Sequence, residues 1–114
     1  MELYSLFSFA VLFRRFQLRN RDGEFVPATP VSGTVLVNIG DTMARWTADK
    51  LISTKHRVVI PETQVNRAKA RMSIAYFMHP DDDCLIKCID GSNKYEPITS
   101  LDYLNMRFQA TYAK

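Results

Sequence analysis

Three side chains stand out for the chemistry that their types and spacing could support: His56, Arg71 and Ser73. A neutral imidazole is the commonest protein ligand for transition metals, and an arginine makes a bidentate, charge-assisted pair with a carboxylate. Arg71 and Ser73 are two positions apart, so on a strand both would lie on the same face. Taken alone, a histidine in a strand is more often simply hydrogen-bonded, and an arginine there more often faces solvent. These residues therefore need a structural context before a function can be assigned to them.

A second polar group consists of His79 followed by Asp81, Asp82 and Asp83. Carboxylates in a loop could bind a divalent cation. The three aspartates are adjacent in sequence and follow Pro80, however, which is typical of a turn. We interpret this segment as a solvated loop rather than a metal site.

The two cysteines, Cys84 and Cys88, do not form a disulfide framework. Their spacing falls in a predicted strand, where residues four apart lie about 13 Å from each other, far beyond the reach of a disulfide. We expect buried free thiols, which fits a reducing, cytoplasmic setting.

The composition excludes several classes of protein. Of the 114 residues, 46% are hydrophobic and 24% are charged, which is typical of one globular domain or a piece of one and not of a disordered chain. The net charge is +3, but the basic residues are scattered and do not form a dense stripe with interleaved aromatic residues. We therefore expect no nucleic-acid binding.

An apolar run, Leu3 to Phe13, opens the chain. It is too short to span a bilayer, and only Glu2 stands where a signal peptide would carry basic residues. A buried strand is an equally good interpretation, because phenylalanine, valine and leucine dominate without a helical period. A membrane role is thus disfavoured, although a targeting segment stays open as an alternative.

The remaining pattern is a series of short strands with turns between them and one closing helix. Asp-Gly at 22–23 predicts a hairpin, Asp41 is a candidate N-cap for a short helix, and Thr99 or Ser100 caps the last helix, whose apolar stripe we expect to be core packing. This predicts a mostly β fold of the sandwich or jelly-roll type. The predicted strands cover residues 16–20, 25–26, 34–39, 55–60, 70–78 and 85–89, and the stripe consists of Leu101, Leu104, Phe108 and Tyr112.

Two ordered sets of motifs resemble one known family. Val37-Asn38-Ile39-Gly40-Asp41, Arg45-Trp46-Thr47 and Ser53-Thr54-Lys55-His56-Arg57-Val58-Val59 form the first set, and Arg71-Met72-Ser73 to Phe77 with Pro80 forms the second. Their order and spacing are similar to those of the iron(II)- and 2-oxoglutarate-dependent dioxygenases, isopenicillin N synthase-like branch. The resemblance covers residues 16–114 as the C-terminal part of such a domain and leaves the apolar segment 1–15 outside it. It implies part of a double-stranded β-helix (jelly roll) with a C-terminal helix.

The resemblance also implies roles for the three residues named first. His56 matches the distal histidine ligand of the iron, and Arg71 with Ser73 matches the pair that holds the far carboxylate of 2-oxoglutarate. Family members oxidise a small organic substrate while 2-oxoglutarate is decarboxylated to succinate. Fe(II) and 2-oxoglutarate are thus the implied cofactors, and a small molecule is the implied substrate.

The family's other two iron ligands, a His-x-Asp pair, would fall near Leu3 and Ser5, neither of which is an adequate ligand. We therefore expect the chain alone to be a truncated or inactive form, because one histidine cannot fix an iron ion in a defined geometry. The alternative is a non-catalytic module that binds a carboxylate or another protein, with association through open strand edges.

Overall fold

The computed structural model describes residues 7–10, 16–60 and 74–112. Over these ranges the chain forms eight strands and two helices, which confirms a mostly β protein with a helix at its C-terminal end. The strands are Phe7–Ala10 (β1), Phe16–Arg19 (β2), Phe25–Pro27 (β3), Leu36–Ile39 (β4), His56–Val58 (β5), Ala75–Met78 (β6), Leu85–Ile86 (β7) and Ile98–Thr99 (β8); the helices are Asp41–Trp46 (α1) and Ser100–Tyr112 (α2).

The strands form three antiparallel sheets. Sheet A has the order β4-β1-β6, sheet B the order β3-β2-β5, and sheet C pairs β7 with β8. Since β1 pairs with β4 and β6 but not with β2, the chain changes sheets after its first strand. The division of six of the strands between sheets A and B is what the jelly-roll pattern of short strands and turns predicts.

The hairpin predicted at Asp-Gly is confirmed. Asn20 closes the turn between β2 and β3, because its backbone exchanges hydrogen bonds with Gly23 and Glu24 and its side-chain Oδ1 accepts the Glu24 N–H at 2.9 Å. Gly23 has a φ of +87°, a conformation that a residue with a side chain rarely adopts.

One face of sheet A is apolar and exposed. The register places Val37 and Tyr76 opposite the same β1 position, and Ile39 and Met78 opposite another, so these four residues share one side of the sheet. Val37, Tyr76 and Met78 are 47%, 61% and 41% exposed. We call this surface the Val37 face.

The best-buried core lies elsewhere, between the two helices and sheet C. Ile86 on β7 is 1% exposed and Tyr103 on α2 is 6% exposed. The chain beyond β7 is tied to α1 by a hydrogen bond from the Ile89 N–H to the Trp46 carbonyl oxygen at 3.0 Å. Both cysteines are free thiols as expected, with Cys88 buried and Cys84 half-buried.

Of two sequence expectations for the helices, one was wrong and the other held in part. Asp41 is the first residue of α1 and not its N-cap, which is Gly40; its carboxylate instead accepts a hydrogen bond from Arg107 at 2.7 Å. The predicted stripe of α2 is core only in part: Leu101 and Phe108 are 42% and 47% exposed, Leu104 is half-buried, and the side chain of Tyr112 lies outside what the structure describes. The helix turns Tyr103 inward because this ring packs beside Arg45, a contact that the helical period alone does not reveal.

Other predictions for the secondary structure are confirmed, although the strands are shorter than predicted. Thr99 caps α2 as predicted: its Oγ1 accepts the Asp102 N–H at 3.1 Å and donates to the Asp102 carboxylate at 2.7 Å. Strand β5 spans three residues of the predicted six, and β7 two of the predicted five. Within the described residues, no helix is both long and apolar enough to cross a membrane.

Candidate functional site

His56 begins β5 and lies on the apolar face of sheet B. It is directly opposite Leu18 on β2, and Val58 is opposite Phe16, so these four side chains share one side of the sheet. The Phe16 ring is buried, and its centroid lies 5.1 Å from that of the His56 ring. The opposite face is polar, with Arg57 donating to the Gln17 side chain at 2.8 Å. The half-buried imidazole therefore projects from an apolar surface.

The orientation of the imidazole suits a metal ligand. Nδ1 of His56 lies 3.1 Å from the carbonyl oxygen of Thr54. A carbonyl oxygen can only accept, so in the neutral ring Nδ1 carries the proton and Nε2 carries the lone pair. A backbone carbonyl that fixes the tautomer in this way is the usual support of a metal-bound histidine.

The described residues do not complete an iron site around this histidine. No group of three or more His, Cys, Asp or Glu side chains comes together in the ranges 7–10, 16–60 and 74–112. Iron that keeps open positions for its cosubstrates needs three protein ligands on one side. His56 alone is suited to bind iron, and the described residues do not supply the other two ligands.

Of the other candidate residues, the structure describes only those around His79. Arg71 and Ser73 fall outside the described residues, as do Leu3 and Ser5, so their predicted roles stay predictions. His79 is exposed and Asp81 to Asp83 form an exposed turn, as expected for a solvated loop. The Ser100 and Leu101 amides donate to the carbonyl oxygens of Cys84 and Asp82, which ties the loop to the start of α2.

The segment between α1 and β5 determines where His56 sits. Thr47 ends α1, and its buried hydroxyl donates to the Met43 carbonyl at 2.9 Å and accepts the Leu51 N–H at 3.1 Å. Ala48 and Asp49 then take positive φ values of +52° and +65°, which reverses the chain. Two such residues in succession cost about 1–2 kcal/mol each, so further contacts must hold the turn.

Those contacts come from the segment before β8. Asp49 accepts hydrogen bonds from the Tyr95 hydroxyl at 2.6 Å and from the Lys94 ammonium group at 2.7 Å. Arg45 lies between the rings of Tyr95 and Tyr103, 4.8 Å and 5.1 Å from their centroids. Its Nη2 donates to the Glu96 carbonyl oxygen at 2.7 Å. We call Arg45, Asp49, Lys94, Tyr95 and Tyr103 the Arg45 cluster.

His56 borders an open groove of about 620 Å³ together with every member of the Arg45 cluster except Lys94. Arg107 and Asp41, paired with each other, line it as well. Sequence reasoning did not identify Tyr95 or Asp49 as part of this region. The contact between them spans 46 positions, and no local pattern signals such a pairing.

Acid should weaken the Asp49 contacts. The hydrogen bond from Lys94, and then that from Tyr95, lowers the pKa of Asp49 below its ordinary value of 3.8. A carboxyl with a lowered pKa in the folded state stabilises the fold above its unfolded pKa, and this stabilisation is lost as the pH falls through the folded value.

We therefore expect Asp49→Asn to lower the free energy of unfolding at about pH 7 by at most about 1 kcal/mol, because the pair is exposed. The difference from the wild type should shrink below the ordinary pKa of 3.8. Urea denaturation at a series of pH values measures both. Asp83→Asn, at an exposed position, is the matched control, and an equal loss in the two variants would contradict the assignment.

Comparison with known proteins connects this geometry to one family. The sequence profile of the 2OG-Fe(II) oxygenase superfamily matches residues 5–80. The 2-oxoglutarate-Fe(II) type oxidoreductase ppzC of Metarhizium majus is 37% identical over 97 residues, which are 80% of this chain and 25% of the relative. The 2-oxoglutarate-dependent dioxygenase htyE of Aspergillus rugulosus is 36% identical over 100 residues, 77% of this chain and 30% of the relative.

Solved structures give the same result for the fold. A full-length Neurospora crassa protein, solved in complex with alpha-KG, superposes with a TM-score of 0.86 at 38% identity, over 98% of this chain and 36% of that protein. We call it the Neurospora relative. A 2OG-Fe(II) oxygenase family protein from Caulobacter crescentus superposes with a TM-score of 0.84 at 29% identity, over 94% of this chain and 38% of that protein.

The chain spans about a quarter to a third of the curated relatives that it matches. Fe(II) and 2-oxoglutarate are the cofactors of the family to which these relatives belong. Because its sequence profile, its curated relatives and its fold all match, the chain belongs to the 2OG-Fe(II) oxygenase superfamily.

Proposed function

We propose that this chain acts as the C-terminal part of an iron(II)- and 2-oxoglutarate-dependent dioxygenase that oxidises a small organic molecule. In that role His56 is one of three iron ligands, and Arg71 and Ser73 hold the far carboxylate of 2-oxoglutarate. Sheets A and B are the corresponding part of a double-stranded β-helix. Dioxygen would be the oxidant: bound iron(II) would activate it, 2-oxoglutarate would give up two electrons as it becomes succinate and carbon dioxide, and the organic substrate would give up the other two.

The observation that carries the proposal is the state of the His56 ring. Its Nδ1 donates to the Thr54 carbonyl, which leaves the Nε2 lone pair for a metal. The ring projects from an apolar face beside Phe16 and Val58, a setting that limits competition from water. A histidine with a merely structural role in a strand does not require this combination.

The chain alone is proposed to be inactive. The described residues offer one of the three ligands that the metal needs, and the chain matches 36% of the Neurospora relative in length. That relative has been solved with alpha-KG and thymine, which supports a small-molecule substrate for an oxygenase that contains this chain.

The direct test compares two proteins for iron-dependent formation of succinate from 2-oxoglutarate. One is the isolated chain. The other, called here the reconstructed oxygenase, joins the portion of the Neurospora relative that precedes the matched region to this chain. We expect no turnover by the isolated chain and turnover by the reconstructed oxygenase. Turnover by the isolated chain would contradict the proposal, as would an inactive reconstructed oxygenase that folds and binds iron.

Replacing Arg71 should remove the carboxylate anchor. We expect Arg71→Ala to weaken 2-oxoglutarate binding by the reconstructed oxygenase by roughly 30-fold or more, since a charge-assisted, bidentate pair is lost. Arg71→Lys should recover only part of the affinity, because an ammonium group cannot reproduce the planar, two-point contact. Calorimetric titration with 2-oxoglutarate measures both.

Arg21→Ala is the matched control, since Arg21 lies in the exposed turn between β2 and β3. Unchanged affinity in Arg71→Ala would show that the carboxylate is held elsewhere. Tight 2-oxoglutarate binding by the isolated chain without metal would instead favour a carboxylate-binding module.

A further inference from the structure

A second groove, separate from the one that His56 borders, lies between the β2–β3 hairpin and the segment before β5. It is open and has a volume of about 690 Å³. The basic residues that line it are Arg19, Arg21, Lys50 and Lys55, all of them exposed. None of the described residues in its lining is an aspartate or a glutamate. We call it the basic groove. A cleft lined by charges of one sign raises the local concentration of ions of the opposite sign, so this groove attracts anions.

The guanidinium group of Arg19 is held in place at one edge. Its Nε donates to the Gly23 carbonyl oxygen at 3.0 Å, and its side chain makes no other hydrogen bond or ion pair with the described residues. A Cβ at position 23 would lie 3.1 Å from Nη2 of Arg19, so the glycine leaves the space in which the guanidinium lies. The Nη groups of a guanidinium that is already positioned can bind an anion with little further loss of side-chain freedom.

Two of the basic residues are neighbours across the sheet. The Arg19 N–H donates to the Lys55 carbonyl oxygen at 2.8 Å, which places the two residues side by side on adjacent chain segments. Like charges in this position repel each other, and a bound anion relieves the repulsion. The Nζ of Lys50 lies 3.5 Å from the Asp90 carboxylate, but its side chain is 69% exposed. An exposed pair of this kind contributes little, so Lys50 can turn toward a ligand at small cost.

The rest of the lining indicates the size and kind of the anion. Ile39, Leu51 and Ile52 form an apolar part of the wall, with Leu51 and Ile52 43% and 66% exposed. A volume of about 690 Å³ lies in the range of small-molecule sites. A nucleic acid would need a longer basic stripe, whereas these charges surround a single groove. A small molecule with both an anionic and an apolar part fits this lining.

We infer that the basic groove binds a small organic molecule that carries a phosphate or diphosphate group. A phosphate group offers three acceptor oxygens and up to two negative charges, and an arginine can bind it with two parallel hydrogen bonds. Arg19 and Arg21 bind the phosphate, the two lysines neutralise it, and the apolar wall contacts the organic part. The inference goes beyond the proposed function, because this binding requires neither iron nor His56.

Calorimetric titration of the isolated chain without metal tests the ligand class. The probes are adenosine diphosphate, inorganic pyrophosphate and 2-oxoglutarate. We expect one-to-one binding of adenosine diphosphate, about fivefold or more tighter than pyrophosphate because only the nucleotide contacts the apolar wall. 2-Oxoglutarate, which carries carboxylates alone, should bind about tenfold or more weaker than adenosine diphosphate.

Three results of this titration would overturn the inference. The first is a dissociation constant for adenosine diphosphate above about 1 mM. The second is pyrophosphate or 2-oxoglutarate binding as tightly as the nucleotide, which would show an unselective anion site. The third is tighter binding of a single-stranded DNA oligonucleotide than of adenosine diphosphate, which would assign the surface to nucleic acid.

Variants localise the binding. Arg19→Gln should weaken adenosine diphosphate binding about tenfold or more, because a hydrogen bond to a charged group is lost. Lys87→Gln removes the same charge at an exposed position that does not line the groove, and it should leave the affinity unchanged. His56→Ala should also leave it unchanged, so that a failure of this inference and a failure of the proposed iron site are told apart. Equal losses in Arg19→Gln and Lys87→Gln would contradict the assignment.

A measurement on the unaltered chain guards against a misfolded variant. Lysine acetylation, followed by mass spectrometry, is compared with and without saturating adenosine diphosphate. Acetylation of Lys50 and Lys55 should slow about threefold or more in the complex, because a bound ligand covers the surface that it contacts. Acetylation of Lys87 should not change. Equal acetylation of Lys50 and Lys55 in the free and bound chain would overturn the inference.

Discussion

Replacing His56 by alanine is expected to abolish Fe(II) binding by the reconstructed oxygenase. Loss of a residue that merely supports a metal ligand costs 10–100-fold in affinity, so loss of the ligand itself should cost more than about 100-fold. The Thr54 carbonyl, which lies 3.1 Å from Nδ1, would lose its donor but still reach solvent, so the free energy of unfolding should change little. Anaerobic calorimetric titration with Fe(II) measures the affinity, and urea denaturation measures the stability.

The other histidine supplies the control for this experiment. His79 is exposed in the loop after β6, and His79→Ala should bind Fe(II) as well as the parent protein does. If the two variants lost affinity equally, or if His56→Ala kept it, His56 would not be the ligand that the Thr54 contact indicates.

Replacing Ile86 by alanine is expected to lower the free energy of unfolding by about 2–5 kcal/mol. Ile86 is 1% exposed, and it lies on β7 between α1 and β8, where the register pairs it with Ile98. Few hydrophobic residues of the described ranges are this well buried. Because a chain of this size has a small margin of stability, the variant should be largely unfolded, as circular dichroism and urea denaturation will show.

A nearby isoleucine provides the comparison. Ile89 is 68% exposed, and Ile89→Ala should change the free energy of unfolding by no more than about 0.5 kcal/mol. Ile86→Val removes a single methyl group and should cost about 0.5–1.5 kcal/mol. If Ile86→Ala were no worse than Ile89→Ala, the core would not be centred on β7 and the two helices.

The architecture was largely predictable because its signals are local. Asp-Gly predicts the β2–β3 turn, and the structure confirms the turn, which the Asn20–Glu24 contact closes. Thr99 or Ser100 was expected to cap α2, and the structure selects Thr99, whose partner Asp102 is three residues away. In each case the residues that determine the conformation lie within one turn of each other.

What could not be predicted depends on partners far apart in sequence. Asp41 was expected to cap α1, but Arg107, 66 positions away, takes its carboxylate. The inward position of Tyr103 on α2 was missed, because this ring packs against Arg45, which no periodicity within α2 can reveal. Hydrophobic periodicity describes an average environment, whereas this helix is positioned by a cation–π contact and an ion pair.

The candidate site was predicted in part. The strand of His56 follows from its sequence neighbours, but the tautomer depends on the carbonyl of Thr54, in the segment that follows the turn at Ala48 and Asp49. The Arg45 cluster that holds this turn joins segments about 50 positions apart, and no local pattern indicates it. The roles of Arg71 and Ser73 stay predictions.

In the proposed function this chain contributes a single iron ligand, His56, to a site that other residues must complete. Anaerobic calorimetric titration of the isolated chain with Fe(II) tests it most directly. We predict no saturable binding at micromolar concentrations, because one imidazole cannot fix the ion. A one-to-one site of micromolar affinity that disappears in His56→Ala would show that this chain holds further iron ligands. It would contradict the proposal that His56 is the single ligand that this chain contributes.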